Sequence, residues 1–417
     1  MTGVDWPLLD EWVQNPFNMP SGSSGPLFPY INLYLAQLKE QGYAPGSLYE
    51  QVYILKACDL WLKRTGLDAR DLDESVAQEC LRRVIEGGYG KNAAASTLRR
   101  LLAMLRRIGV TPEAKATPPS PCEQLACAYG RFLLEEHNLS PQTVSQRRLT
   151  ASRFLSERFG SGPPNPPKLR APDVIAFVQR HARDHGTSHA RQLTTGMRLF
   201  LRYLHYRSLT DTDLSLAVPT VARWSLSSLP KHLSAAQVRQ VLSHCDRDSA
   251  RGRRNHAILL LLAYLGLRAG EVIVLNLEDI DWDYGRITVC GKGKQSQLPL
   301  PAEVAKAIAH YLRHDRPKCP CRRVFIRDYA PLGGFQRSSS IAKIVQRALV
   351  NAGVVSARKG AHLLRHSLAT EMLRKGASLD EIGEVLRHRS TDTTAIYAKV
   401  DINALRELAL PWPGGVQ

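Results

Sequence analysis

The sequence has no apolar run long enough to cross a bilayer. Its longest, Ala257 to Leu267, falls far short of the ~20 residues a membrane helix needs, so it is expected as a buried helix and no membrane partner is expected. The opening Met1-Thr-Gly-Val-Asp-Trp6 lacks a basic stretch followed by an apolar core, so no signal peptide is expected. The eight cysteines are scattered without the density or spacing of a disulfide framework. The nearest thing to a metal motif is Cys319-Pro-Cys321 with His310 and His314 upstream, but one intervening residue is tighter than zinc ligands usually are. Reduced thiols, no metal and a cytoplasmic setting are the expectation. No Walker-type phosphate loop appears, and no cofactor is expected. Acidic residues are in deficit: 38 Asp and Glu against 56 Lys and Arg leave a formal charge of +18. A pI near 9.7 points to a polyanionic partner, nucleic acid before an anionic membrane surface.

What is present is an ordinary globular composition in a chain too long for one domain, 417 residues with 44% hydrophobic and 23% charged side chains. Two Pro-rich breaks and a third connector divide it. Residues 1–27 read as a flexible arm ending in Pro20-Ser-Gly-Ser-Ser-Gly-Pro26. Residues 28–110 carry four helical patterns, near 28–42, 46–64, 72–86 and 92–108. Residues 120–210 repeat that plan, near 122–137, 141–159, 171–185 and 188–206. Tyr43-Ala-Pro-Gly-Ser-Leu48 and Leu139-Ser-Pro-Gln-Thr-Val144 each open a long helix with proline in its first turn. Leu98–Leu105 echoes Met197–Leu204 near each module's end. From 230 to 410 the pattern is mixed. Arg286–Cys290 and Gln297–Leu300 read as strands around a Gly291-Lys-Gly293 turn, and helices are expected near 234–244, 253–265, 269–276, 301–314, 340–352, 362–375, 378–387, 391–398 and 402–409. The fold class is therefore mostly α: two small helical modules, then an α+β domain with a small antiparallel sheet.

The last domain carries the chemistry. It contains Arg268, Lys292, His362, Arg365, His388 and Tyr397, a set suited to phosphodiester transesterification without a metal. Arginine presents a planar donor fork that fits two phosphate oxygens and stays charged. Two forks on the non-bridging oxygens act like an oxyanion hole. A phenol with an ordinary pKa of about 10 needs a base or a strong positive field before it attacks, and histidine can take its proton. The leaving oxygen needs a proton donor, which a tuned lysine supplies. His362 and Arg365 are three apart on an expected helix and share a face, with Leu364, Leu368 and Met372 on the other side.

These residues lie in Gly-Leu-Arg-x-x-Glu at 266–271, Gly-Lys-Gly at 291–293, His-x-x-Arg at 362–365, Leu-x-His at 386–388 and Tyr397 within Thr393-Thr-Ala-Ile-Tyr-Ala-Lys-Val400. In motif, order and spacing the chain resembles the tyrosine recombinase, or phage integrase, family. The resemblance covers about 230–410, and 120–210 resembles the family's helical core-binding domain. Residues 28–110 look like a further core-binding or arm-binding unit, which suggests a recombinase of a mobile element and not the shorter Xer type. The resemblance implies that Arg268 and Arg365 bind the scissile phosphate, Lys292 is the general acid, His362 is the base assisting Tyr397, and His388 hydrogen-bonds the phosphate. Glu271 would orient the Arg268 helix, and Lys294 is the rival acid. It further implies a 3′-phosphotyrosyl intermediate and a four-way junction. The partners would be double-stranded DNA with inverted-repeat half-sites, clamped between helical modules and catalytic domain in a tetramer, and other recombinases of the same element. The setting would be cytoplasmic and nucleoid-associated. The helix at Asp401–Leu410 would dock on a neighbouring protomer.

One departure stands out: Arg387 precedes His388 where the family commonly has glycine. Glycine suits a left-handed helix end, so Arg387 would adopt it with strain, turn differently, or contact DNA. Two other readings share these features. One is a single-duplex relaxing enzyme like topoisomerase IB. The other is a catalytically silent DNA-binding accessory protein or regulator of a mobile element.

Overall fold

The computed structural model describes residues 25–113, 118–160, 162–183, 186–221, 231–291, 294–388 and 390–400, with the backbone alone at 294, 391, 392, 399 and 400. Most of the expected N-terminal arm, the expected helix at 402–409, and Lys292 lie outside the described residues. The chain divides into two compact units, one made of Met1–Ala114 with Leu226–Gln417 and the other of Lys115–Ser225.

The first helices are α1 (Phe28–Glu40), α2 (Pro45–Thr65), α3 (Glu74–Glu86) and α4 (Lys91–Arg107). Pro45 begins α2, where its missing N–H costs nothing, and Gly66 ends it at φ 72° in the left-handed region that glycine enters freely. Asp73 caps α3 by accepting from the Val76 N–H at 2.9 Å. Buried Asp59 accepts from the Gly25 and Leu27 N–H groups, at 2.9 and 2.7 Å, and so pins the entry to α1. The second unit is α5 (Pro121–Glu135), α6 (Pro141–Phe159), α7 (Ala171–Arg183) and α8 (Thr187–Tyr206). Ser120 with Glu123 forms a capping box on α5, and Ser140 caps α6.

The two bundles correspond position by position. Buried Ile31, Tyr34 and Leu38 on α1 have the spacing of Ala126, Tyr129 and Leu133 on α5. Leu48, Leu55 and Cys58 on α2 match Val144, Ala151 and Phe154 on α6, and Leu98, Leu101, Leu102 and Leu105 on α4 match Met197, Phe200, Leu201 and Leu204 on α8. A short 3-10 turn follows the second helix in both, at Ala69–Asp71 and Pro166–Lys168. Where Phe154 meets Phe177 edge-on at 5.1 Å in one bundle, Cys58 is joined to Cys80 in the other, with Cα atoms 5.7 Å apart. That pair corrects the expectation of free thiols at these two positions. Their partnership depends on two helices packing face to face, which spacing along the chain does not reveal. The other six cysteines are free.

The remaining elements are α9 (Ala235–Ser243), α10 (Ala250–Tyr264), α11 (Ala269–Val274), β1 (Ile280–Asp281), β2 (Arg286–Gly291), β3 (Lys294–Pro299), α12 (Ala302–His314), α13 (Ser338–Asn351), α14 (His362–Arg374), α15 (Leu379–Leu386), α16 (Thr391–Thr394) and a 3-10 turn Ala395–Val400. The three strands pair antiparallel in the order β1-β2-β3, with Ile287 opposite Leu298 and Val289 opposite Ser296. Alternation sends Ile287 and Val289 into the core. There they join Leu259–Leu262 of α10, Val304 and Ile308 of α12, and Ile341 and Val345 of α13. The run Ala257–Leu267 is the buried helix expected of it as far as Tyr264, its one exposed residue, where α10 ends; Leu265–Leu267 continue buried beyond the helix. Strand β1 was not anticipated, since two residues carry no readable alternation. A second, smaller core gathers Ala369, Ile382, Leu386 and Tyr397 between α14, α15 and the final turn.

Candidate active site

The site is assembled at the ends of helices α11, α14 and α15. Arg365 lies on α14 and is buried, 3% exposed. Its Nη1 donates to the Gly266 carbonyl and its Nη2 to the Leu386 carbonyl, so one guanidinium ties the loop before α11 to the end of α15. Gly266 has φ 56°, and a Cβ there would sit 2.7 Å from Leu386 Cδ2. Gly266→Ala is therefore expected to destabilise the catalytic region by about 1–3 kcal/mol, from backbone strain and overpacking together. Calorimetric melting of the full chain checks this, and an unchanged melting curve would contradict it.

Arg268 is the N-cap of α11, and Glu271 holds it through two hydrogen bonds and takes a third from Arg387. The Glu271 carboxylate accepts from the Arg268 N–H at 2.8 Å, from Arg268 Nη1 at 2.7 Å, and from Arg387 Nη2 at 2.9 Å. Arg268 Nη2 in turn donates to the Arg387 carbonyl at 3.2 Å. Burial pushes the Glu271 carboxyl up, but the Arg268 N–H and the Arg387 and Arg268 charges outweigh it and hold the pKa below the ordinary value.

Arg387 takes the left-handed conformation, φ 54° and ψ 50°, at the end of α15. A non-glycine residue pays roughly 1–2 kcal/mol for it. The compensation is visible: its guanidinium turns inward to Glu271, and the His388 N–H closes the helix end on the Gly383 carbonyl at 2.9 Å. The side chain is thus held within the site and is not free to reach outward. The left-handed turn delivers His388, whose Nδ1 lies 2.7 Å from Thr394 Oγ1. The His388 and Tyr397 rings are parallel within 5°, with centroids 6.4 Å apart.

Tyr397 is 1% exposed, its ring in the small apolar core and its hydroxyl 2.8 Å from His366 Nδ1. His366 is the residue of this cluster that sequence reasoning passed over, although it follows Arg365 directly and stands one turn beyond His362. His362 is exposed at the edge, its ring 6.5 Å from that of His366. The structure thus brings together Arg268, His362, Arg365, His388 and Tyr397, with His366 added. In the resting chain the phenol's partner is His366 and not the expected His362.

The electrostatics follow from burial among cations. Burial pushes the Tyr397 phenol up to about 12 despite the Arg365 charge. Burial lowers His366 to about 4, helped by His362, Arg358 and Arg365, and His388 to about 4, helped by Arg365 and Arg268. His362, though part of its side chain reaches solvent, is lowered by the crowding of its ring by neighbouring groups and then by Arg365 and Arg268. Arg365 itself is lowered to about 10 by burial and by the Arg268 and Arg387 charges, and remains a cation at neutral pH. His366 and His388 are therefore neutral above about pH 5. In the DNA-free protein, their ring-proton resonances are expected to show no inflection between pH 5.5 and 8. A midpoint near 6.5 for either, followed by NMR of histidine-labelled chain, would contradict this. Because both values are depressed, folding stability should be complete above about pH 6.5 and decline as the pH falls toward 4.

Chemically, this is a cluster of fixed cations around a phenol that shares a hydrogen bond with the His366 imidazole. Two guanidinium groups anchored by backbone carbonyls and a carboxylate can receive an anion without reorganising. Among the described residues no three His, Cys, Asp or Glu side chains are placed to hold a metal ion, and no helix is long and apolar enough to cross a membrane.

The profile described as "Phage integrase family" matches residues 231–403. The chain is 45% identical over 409 residues, 97% of its length and 99% of the other's, to "Putative integrase/recombinase y4rA" of Sinorhizobium fredii (strain NBRC 101917 / NGR234). It is 30% identical over 306 residues to tyrosine recombinase XerD of Mycobacterium tuberculosis (strain ATCC 25618 / H37Rv), covering 69% of this chain and 95% of that one. Among solved structures, the XerH site-specific recombinase bound to its palindromic difH substrate superposes with a TM-score of 0.55 at 19% identity, over 71% of this chain and 98% of that one. The chain belongs to the tyrosine recombinase, or phage integrase, family of DNA strand-exchange enzymes. Its mostly helical fold with a small three-stranded antiparallel sheet is the fold of those recombinases.

Proposed function

We propose that this chain is a site-specific recombinase in which Tyr397 attacks a DNA phosphodiester, forming a 3′-phosphotyrosyl link and releasing a 5′ hydroxyl. The 5′ hydroxyl of a partner strand then attacks that link, restoring the tyrosine and resealing the backbone. One phosphoester replaces another, so the energy of the broken bond is retained. The observation that carries this reading is the meeting of Tyr397 with Arg365, Arg268 and His388 from four separate stretches of chain. Arg268 and Arg365 receive the non-bridging oxygens, and His388 donates to the phosphate. Lys292, on the connection between β2 and β3, is assigned the protonation of the leaving 5′ oxygen. The 2.8 Å hydrogen bond favours His366 over His362 as first acceptor of the phenolic proton, with His362 nearer the incoming phosphate.

The substrate follows from relatives seen on DNA, the XerH recombinase on its palindromic site and a λ integrase dimer on a core site. Duplex DNA with inverted-repeat half-sites, a tetramer passing through a four-way junction, and the cooperation of other recombinases of one mobile element complete the proposal. Residues 28–110, 120–210 and 230–410 act as separate domains in it, in a cytoplasmic, nucleoid-associated setting. The test is a strand-cleavage assay. Duplexes selected from a random pool by the full chain are nicked near the candidate cleavage position and incubated with protein, and a detergent-resistant, protease-sensitive adduct is expected. Tight binding with no adduct on any selected duplex would overturn it.

A further inference from the structure

The catalytic region has a second cationic depression, at the other end of α10 from the site just described. It is a cavity of about 380 Å³ lined by Arg247, Arg253, His256, Glu303, Lys306 and His310. Helix α10 spans fifteen residues, about 22 Å, and its far end leads through Gly266 to Arg268. A group bound here is therefore not the one held by Arg268 and Arg365.

The lining charges are unequally committed. Arg253 is occupied: its guanidinium grips both Asp315 oxygens at 2.5 and 2.6 Å, and its Nη1 donates to the Arg247 and Asp248 carbonyls. That arrangement fixes the backbone from which the exposed side chain of Arg247 projects. Lys306 stands on the facing helix α12, and the one carboxylate in the lining, Glu303, is also engaged by Tyr264. Between them lies His256, 8% exposed, whose Nε2 has no hydrogen-bond partner. A buried imidazole nitrogen left without a partner costs about 1–3 kcal/mol and calls for an explanation. Neutral imidazole carries a proton on one nitrogen, so Nε2–H can donate to an anionic oxygen while Arg247 and Lys306 supply the charge.

We propose that this cavity is a second phosphate-binding site, in which Arg247, Lys306 and His256 take the phosphate group of a DNA backbone or of a free phosphorylated molecule. The site rests on geometry independent of Tyr397, so it can fail while the recombinase reading stands. The test uses full-length protein with 13C-labelled histidine, the His256 signal being assigned by its absence in His256→Gln. Titration with inorganic phosphate is expected to shift that signal saturably, and Arg247→Ala/Lys306→Ala is expected to weaken the effect at least tenfold. Adding a bound duplex without phosphate separates the sources. If DNA supplies the group, the same signal moves, and the slope of log affinity against log salt shrinks by about 1–2 in the double variant. If a free molecule supplies it, only phosphate moves the signal. A His256 signal unmoved by both probes, or an equal response in wild type and double variant, overturns the proposal. Tyr397-dependent cleavage is read in parallel, and its presence or absence decides the other reading alone.

Discussion

Tyr397→Phe is expected to bind selected duplex within a few-fold of wild type and to form no covalent complex, a loss of roughly 10⁴-fold or more in adduct formation. The substitution removes one atom. The ring remains in the apolar core with Ile382 and Leu386, so packing is kept. The hydrogen bond to His366 is lost, at a cost of about 1 kcal/mol in stability. Folding and DNA affinity are thus separated from chemistry at a single oxygen. Gel-shift and adduct assays on one preparation check both halves, and an adduct surviving in the Phe variant would remove Tyr397 from its assigned role.

Arg365→Ala is expected to lose both chemistry and stability. A guanidinium aimed at the transition-state oxygens contributes about 10²–10³ in rate when the comparison is one oxyanion donor, and more when the donor is charged. The same side chain satisfies the Gly266 and Leu386 carbonyls inside the protein. Its removal leaves both buried acceptors without that donor, and about 2–5 kcal/mol of stability should go with it. Arg365→Lys restores charge without the fork, and should recover part of the stability while cleavage stays at least 10²-fold down. Recovery of full cleavage by lysine would show that charge alone suffices and that the fork geometry is immaterial.

Much of this was legible in the sequence, for identifiable reasons. The long helices α2 and α6 were foreseen because a first-turn proline and apolar spacing agree along each, and α8 from its apolar spacing alone. The hairpin of β2 and β3 was foreseen from two β-rich runs around glycines. Five of the six residues of the chemical set, Arg268, His362, Arg365, His388 and Tyr397, lie together in the structure, while Lys292 lies outside the described residues. What escaped notice depends on contacts between distant segments. Glu271 was assigned to Arg268, its neighbour by three residues, but its bond to Arg387 spans 116 positions and no spacing rule reaches that far. The same bond explains how an arginine occupies a place suited to glycine. His366 was overlooked because His362 fits the His-x-x-Arg pattern, whereas the phenol's partner is set by how the turn after α16 folds back on α14. Cys58 and Cys80 meet only because α2 and α3 pack as α6 and α7 do around Phe154 and Phe177.

The central claim is tested most directly by finding the amino acid that holds the DNA. Full-length protein trapped on a nicked duplex, digested with protease and nuclease, should yield by mass spectrometry one peptide bearing a nucleotide through the phenolic oxygen of Tyr397, attached at the DNA 3′ end. A nucleotide on any other residue, or a linkage to the 5′ end, would contradict the account.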